Sequence, residues 1–176
     1  MTTSFASSDF QQALETPLGT LYLIASDRGL QGLYWRPPES RIIAAMGDPG
    51  ESGEAVLREA SGQIAEYLAG ARQAFDLPLD LCGTPFQKKV WKALLDIPYG
   101  ATVSYRVLAD RIGSSGAARA VGSACGRNPV CLIVPCHRVV ASAGGLGGYA
   151  GGLAAKEKLL TLEGAWIGSG HNPLRE

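Results

Sequence analysis

At Thr84-Pro85-Phe86-Gln87 the chain carries, in consecutive positions, what the start of a helix demands. The Thr84 hydroxyl can accept from a free backbone N–H of the first turn. Pro85 loses nothing at the first helical position, and Gln87 can reach back to close a capping box. Phe86, Val90, Trp91, Leu94 and Leu95 then supply an apolar stripe to about Asp96, and Pro98-Tyr99-Gly100 breaks the helix. So complete a start marks the beginning of a folding unit. The 176-residue chain is therefore expected to divide into domains of residues 1–83 and 84–176.

Charge divides at the same place. The full chain has 16 Lys and Arg against 16 Asp and Glu, but residues 1–83 hold 5 against 11 and residues 84–176 hold 11 against 5. A net −6 thus precedes a net +6. A basic half suits a polyanion such as nucleic acid, and a solvated imbalance with no partner would look the same. With 46% hydrophobic and 18% charged residues the chain is neither disordered nor fibrous. No run approaches the roughly eighteen apolar residues of a membrane span. Asp9 and Glu15 interrupt what a secretory signal would need, so a cytoplasmic protein is expected.

In the acidic half, alternation over Leu18 to Ala25 and Leu30 to Trp35 about Asp27-Arg28-Gly29 predicts an antiparallel hairpin, ended by Pro37 and Pro38. Gly47 to Gly53 reads as a loop. Ala55 to Leu68 reads as a helix with Val56, Ile64 and Leu68 on one face, Ser52 as its cap and Gly70 as its stop, and Ala74 to Leu81 as a further strand. The basic half reads as mainly helical. Ser104 caps a short helix through Ile112, closed by Gly113, and Ser115 caps a second from about Ala117 to Cys125, closed by Gly126. The class is α+β: an N-terminal α/β domain with a small antiparallel sheet, and a helical C-terminal domain with a helix-turn-helix.

The second helix of that pair, Ala117-Ala118-Arg119-Ala120-Val121-Gly122-Ser123-Ala124, is almost all small residues with one long cation. A major-groove reader carries several side chains that meet base edges. A helix this bare can press its backbone into a narrow space such as the minor groove, or pack closely on its own core.

Four cysteines, Cys82, Cys125, Cys131 and Cys136, form no Cys-x-x-Cys pair, and His137 and His171 add no zinc spacing, so reduced thiols and no structural metal are expected. One of them stands apart. Cys136 follows the apolar run Leu132-Ile133-Val134, suited to a buried strand or extended segment, and precedes His137 and Arg138, either of which can favour the thiolate. The His137 ring needs a carboxylate to orient it. Glu163, at the end of a helix expected over Leu153 to Leu162, is the candidate. Cys125 and Cys131 read as inert buried thiols.

Taken in order, Gly83-Thr84-Pro85-Phe86-Gln87, Ile97-Pro98-Tyr99-Gly100, Ser104-Tyr105, Arg119-Ala120-Val121-Gly122, Asn128-Pro129 and Val134-Pro135-Cys136-His137-Arg138-Val139 resemble the O6-alkylguanine-DNA alkyltransferases. The likeness continues through Gly147-Gly148-Tyr149, Gly151-Gly152-Leu153, Lys156, Leu159-Leu160 and Glu163-Gly164, dense over residues 84–164 and general before them.

That resemblance implies direct-reversal repair. Cys136 would take the alkyl group from O6 of guanine, or O4 of thymine, in double-stranded DNA, irreversibly and once per molecule. A water, His137 and Glu163 would relay its proton. Asn128 would tie the turn between the helix pair and the cysteine. Arg119 would replace a base flipped out of the stack and Tyr105 would donate to the guanine ring, with Ala118, Ala120, Gly122 and Ser123 in the minor groove. The loop from Gly144 to Gly152 would close the pocket, with Tyr149, Ala150 and Gly151 lining it and backbone carbonyls at Cys136 and Val139 reading the guanine amine. Ala150 stands where some relatives have Ser, which leaves the range of alkyl groups unfixed. The N-terminal domain would be ribonuclease H-like. No cofactor, metal, membrane or obligate protein partner is implied, and cooperative assembly along DNA is left open. Three rivals explain less: a non-catalytic alkyltransferase-like protein would lack Cys136, a cysteine hydrolase would need an oxyanion site, and a helix-turn-helix regulator leaves Cys136 and Glu163 without purpose.

Overall fold

A computed structural model of the chain describes residues 12–39, 48–142 and 144–166. It comprises two compact units, Met1–Leu81 and Cys82–Glu176. Helices and small sheets occur in both, and the class is α+β.

In the first unit three strands, β1 (Gln12–Thr16), β2 (Gly19–Ser26) and β3 (Gly29–Tyr34), form an antiparallel meander in the order β1-β2-β3. The hairpin expected around Asp27-Arg28-Gly29 is β2-β3, and β1, which alternation had not marked, pairs Leu14 with Leu21. Helix α1 (Gly50–Leu68) covers the sheet with Leu57, Ala60, Ile64 and Tyr67.

Three expectations for this unit need correction. The helix starts at Gly50, inside the span read as a loop, and Pro49 precedes it with no side-chain cap, so Ser52 lies within the first turn. Its buried face runs through Leu57, Ile64 and Tyr67, leaving Val56 and Leu68 half-buried. Residues 74–81 are extended but make no strand. Only Leu79 bridges to the sheet, where Leu30 N donates to Pro78 O at 2.8 Å and Asp80 N to Leu30 O at 3.0 Å. Pro78 has no N–H to continue a ladder, which confines the pairing to this point.

The second unit opens as its sequence requires. Helix α2 (Pro85–Leu95) has Thr84 as N-cap, with Thr84 Oγ1 accepting from Gln87 N at 3.2 Å and Gln87 Oε1 from Thr84 N at 2.8 Å. Val90, Trp91 and Leu94 are buried, whereas Leu95 is 46% exposed and lies off the stripe. Trp91 Nε1 donates to Ala124 O at 2.9 Å, locking α2 onto the small-residue helix.

Strand β4 (Val103–Ser104) leads into α3 (Tyr105–Arg111), capped by Ser104 through Val107 N, and α4 (Ala118–Gly126) packs against it. Ser115 is not the cap of α4. Ala117 holds that position without a side-chain bond. Strand β5 (Val139–Val140) runs parallel to β4, and α5 (Leu153–Leu162) closes the unit. Val140, Leu160, Ala165 and Trp166 bury one core cluster beneath the loop that carries Leu146. Leu132-Ile133-Val134 forms a tight turn rather than a strand: Cys131 bridges to Val134, and Leu132 adopts φ 78°. No helix among the described residues is long and apolar enough to cross a membrane.

Candidate active site

The turn that presents Cys136 is held by one side chain. Asn128 Nδ2 donates to Val134 O at 2.7 Å and its Oδ1 accepts from Val130 N at 3.1 Å, so a single buried amide spans both ends of the turn. A 3₁₀ turn at Cys136–Arg138 follows and hands the chain to β5. All three of its side chains are buried.

Behind Cys136 lies a charged cluster organised on Glu163. His137 Nε2 is 2.8 Å from Glu163 Oε1, Arg138 Nε is 2.9 Å from Oε2, Arg138 Nη2 is 2.9 Å from Oε1, and Gly100 N donates to Oε2 at 3.1 Å. Arg138 Nη1 also donates to Ile97 O at 2.6 Å, and its guanidinium lies 5.8 Å from the Tyr99 ring centroid. The loop Ile97-Pro98-Tyr99-Gly100, read from sequence only as a helix breaker, is thus one wall of the cluster. Gly100 has φ 77°, and a Cβ there would stand 2.9 Å from Glu163 O, so only glycine lets the loop approach this closely.

Burial alone would raise the Glu163 carboxyl, but the hydrogen bonds from His137 and Arg138 outweigh it and bring it down to about 2. Glu163 is therefore an anion that only accepts, and His137 Nε2 must be the protonated nitrogen. Burial in turn lowers the His137 pKa despite Glu163, so the ring is neutral and its Nδ1 is the unprotonated, accepting nitrogen.

Cys136 lies on the other side of this cluster, at the edge of a cavity of about 540 Å³. The cavity is also lined by Tyr105, Gly122, Cys125, Gly148, Tyr149 and Ala150. The Cys131 thiol, 3.9 Å from Cys136 Sγ, holds Cys136 below the ordinary thiol range, and against the cost of burial Asn128 and the charge of Lys156 act in the same direction. Cys125 is different. Burial and the neighbouring Cys136 push its thiol up to about 12, so it remains protonated. Tyr105 is likewise raised to about 12, by burial and then by the two thiols, and is a phenol able to donate. Gly147, at φ 70°, makes room for it: a Cβ there would meet the Tyr105 hydroxyl at 2.8 Å.

Most of the residues named from sequence meet here, though not all in the expected way. Cys136, His137, Glu163, Asn128, Tyr105, Tyr149 and Ala150 lie in or directly behind the cavity. Gly151 is half-buried and outside its lining. Val139 is fully buried in β5, and its carbonyl accepts from Lys156 Nζ at 2.6 Å. On α4, Arg119, Ala120 and Ser123 are exposed and Ala118 and Gly122 half-buried, while Val121 and Ala124 face the core. Gly122 faces Tyr105, where a Cβ would sit at an ordinary 3.7 Å, so core packing does not account for this glycine.

Sequence reasoning missed five participants: Arg138 as the fork on Glu163, the loop of residues 97–100 as a wall of the charged cluster, Cys125 as a cavity wall, Cys131 as the thiol beside Cys136, and Lys156. Lys156 is fully buried, donating also to Gly148 O at 3.2 Å, and burial lowers it to about 8. A signal was present, because Lys156, Leu159, Leu160 and Glu163 stand at the spacing of a single helix face. His171 lies outside the described residues.

The comparisons with known proteins agree along the whole of this architecture. The family model for the DNA binding domain of 6-O-methylguanine DNA methyltransferase matches residues 85–165, and that for its ribonuclease-like domain matches residues 10–81. A methylated-DNA–protein-cysteine methyltransferase of Methanosarcina acetivorans is 45% identical over 151 residues, spanning 86% of this chain and 96% of that protein. One from Mycobacterium tuberculosis is 44% identical over 164 residues, spanning 86% and 90%. Among solved structures, Mycobacterium tuberculosis OGT in complex with DNA superposes with a TM-score of 0.76 at 46% identity, covering 87% of this chain and 91% of that one. An O6-methylguanine DNA methyltransferase from Methanococcus jannaschii gives 0.61 at 29% identity, covering 92% and 98%. The chain belongs to the 6-O-methylguanine DNA methyltransferase family.

Proposed function

We propose that this chain repairs DNA by direct reversal, moving the alkyl group of O6-alkylguanine, and of O4-alkylthymine, onto its own Cys136. It is a methylated-DNA–protein-cysteine methyltransferase, and each molecule works once. The observation that carries the assignment to Cys136 is its position: the one depressed thiol sits at a cavity roomy enough to admit a base, directly before a neutral histidine bound to an ionised carboxylate.

His137 Nδ1 takes the Cys136 proton through an intervening water, and Glu163 stabilises the imidazolium that forms. The thiolate attacks the alkyl carbon in line. The S–C bond forms as the C–O6 bond breaks, and its electron pair returns to the guanine ring. Tyr105 donates a hydrogen bond to the ring as charge develops there, and the proton from Cys136 ends on the released guanine. No cofactor is required, because the acceptor is the protein's own sulfur.

A base cannot present O6 from inside the stack, so the nucleotide is extruded. The exposed face of α4, with Ala118, Ala120, Gly122 and Ser123, enters the minor groove, and Arg119 fills the gap left in the helix. Residues 84–176 thus carry both DNA binding and transfer. The loop bearing Tyr149, Ala150 and Gly151 closes over the alkyl group, and the carbonyl of Cys136 accepts from the guanine amine. Each carbonyl already accepts one bond, Cys136 O from Val139 N and Val139 O from Lys156 Nζ, so a guanine amine would take the second lone pair of either. In the cell the protein works in the cytoplasm on DNA.

Counting transfers tests the reading. Excess DNA bearing O6-methylguanine should lose one methyl group per protein chain and no more. Repeated turnover would overturn it.

A further inference from the structure

The proposed transfer uses one sulfur, yet two meet at the cavity edge. Cys131 Sγ lies 3.9 Å from Cys136 Sγ, near van der Waals contact, and both side chains are buried, with 2% and 5% exposure. The contact is built by the backbone. Asn128 pins both ends of the turn, and Val134 N donates to Val130 O at 3.0 Å, folding residues 131 and 136 to the same side. Cys131 Sγ also lies 3.4 Å from Asn128 O, which takes its single S–H when Cys136 is protonated and releases it to Cys136 when the thiolate forms. Only Cys136 of the two lines the cavity.

We propose that Cys131 is a resolving thiol for Cys136, so that oxidation by a peroxide closes a reversible disulfide and withdraws the acceptor from alkyl transfer. The second clause rests on Cys136 being that acceptor. Access sets the order of steps. A small peroxide enters the cavity and meets the Cys136 thiolate, which attacks the O–O bond, giving a sulfenic acid and releasing hydroxide or alkoxide. The Cys131 sulfur then attacks the sulfenic sulfur. An S–S bond forms, the S–O bond breaks, and the Cys131 proton leaves with the oxygen as water. The sulfurs must close by about 2 Å to reach bonding distance, within the reach of χ1 adjustment at two side chains already facing each other. A depressed thiol is also the one a peroxide oxidises first.

The benefit follows from single use. An acceptor driven to sulfinic acid is lost as surely as one that has been alkylated, whereas a disulfide returns to two thiols on exchange with cellular thiols.

The test begins with reduced protein treated with a several-fold excess of hydrogen peroxide, enough to carry an unprotected thiolate past sulfenic acid, then blocked with a thiol reagent and digested with trypsin without reduction. Asn128 to Arg138 is one tryptic peptide holding both cysteines, and Cys125 falls in another. The expected product is the 128–138 peptide lighter by two hydrogens, with methyl-transfer capacity down by more than about tenfold and restored by dithiothreitol. In Cys131→Ser the same excess should carry Cys136 to sulfinic acid, two oxygens heavier, and dithiothreitol should not restore transfer. A Cys125–Cys136 link, or equal recovery in both proteins, overturns the proposal. The intrapeptide disulfide with transfer undiminished would instead remove Cys136 as acceptor, and methylation at Cys136 with no disulfide would remove Cys131 as its partner.

Discussion

The guanidinium of Arg138 meets the carboxylate of Glu163 side on, with Nε 2.9 Å from Oε2 and Nη2 2.9 Å from Oε1, and both side chains are buried. A buried pair of this kind is costly to assemble and adds little net stability, but removing one partner strands the other charge. Arg138→Met should therefore destabilise the protein by about 3–5 kcal/mol in urea unfolding. Adding Glu163→Gln should recover part of that loss. An Arg138→Met protein as stable as the parent would mean that Glu163 does not depend on it.

The same cluster sets the acid limb of stability. The Glu163 carboxyl falls from its ordinary 4.5 to about 2 in the fold, so the unfolded chain binds the proton first as pH drops. Its contribution is complete above about pH 4.5 and is lost as pH falls towards 2, worth about 3 kcal/mol at 1.36 kcal/mol per pH unit. His137, whose pKa is lowered by burial, adds to the loss below its ordinary 6.5, because the unfolded ring protonates earlier. Urea midpoints between about pH 7 and pH 3 should fall steadily, and Glu163→Gln should flatten the lower part of the curve.

Tyr105 is a phenol held protonated, with its pKa at about 12, in a cavity wall it shares with Cys136. Tyr105→Phe keeps the ring and removes the donor. Single-turnover transfer should slow on the order of 10²-fold with the fold unchanged. A rate within twofold or so of the parent would exclude donation to the leaving purine.

Arg119 projects from the exposed face of α4, away from the cavity lining. Arg119→Ala should weaken repair of duplex DNA far more than reaction with free O6-benzylguanine, which needs no flipping. Equal losses in the two assays would contradict its place in the DNA helix.

Helix starts that rest on local chemistry were legible in the sequence. The capping box at Thr84 and the cap at Ser104 occur at their expected residues, because each bond spans only three positions. Gly50 was not legible as the start of α1, since Pro49 offers no capping side chain to read. Nor was the pairing of residues 74–81, which one bridge to Leu30 decides. At the site, Cys136, His137 and Glu163 could be named from residue types. The fork of Arg138 on Glu163 and the sulfur contact of Cys131 could not, because turn geometry and a 25-residue chain separation create them. Lys156 shows the limit differently. Its place on the face of Leu159 and Leu160 was readable, but what makes its burial possible was not: the backbone carbonyls of Val139 and Gly148 that accept from its ammonium.

The central claim is that the alkyl group ends on Cys136 and nowhere else. Incubation with duplex DNA containing O6-methylguanine, followed by peptide mapping by mass spectrometry, tests it directly. The account predicts one methyl group on Cys136, and no transfer in Cys136→Ala with DNA binding retained. A methyl group on Cys125 or Cys131, or transfer that persists in Cys136→Ala, would contradict it.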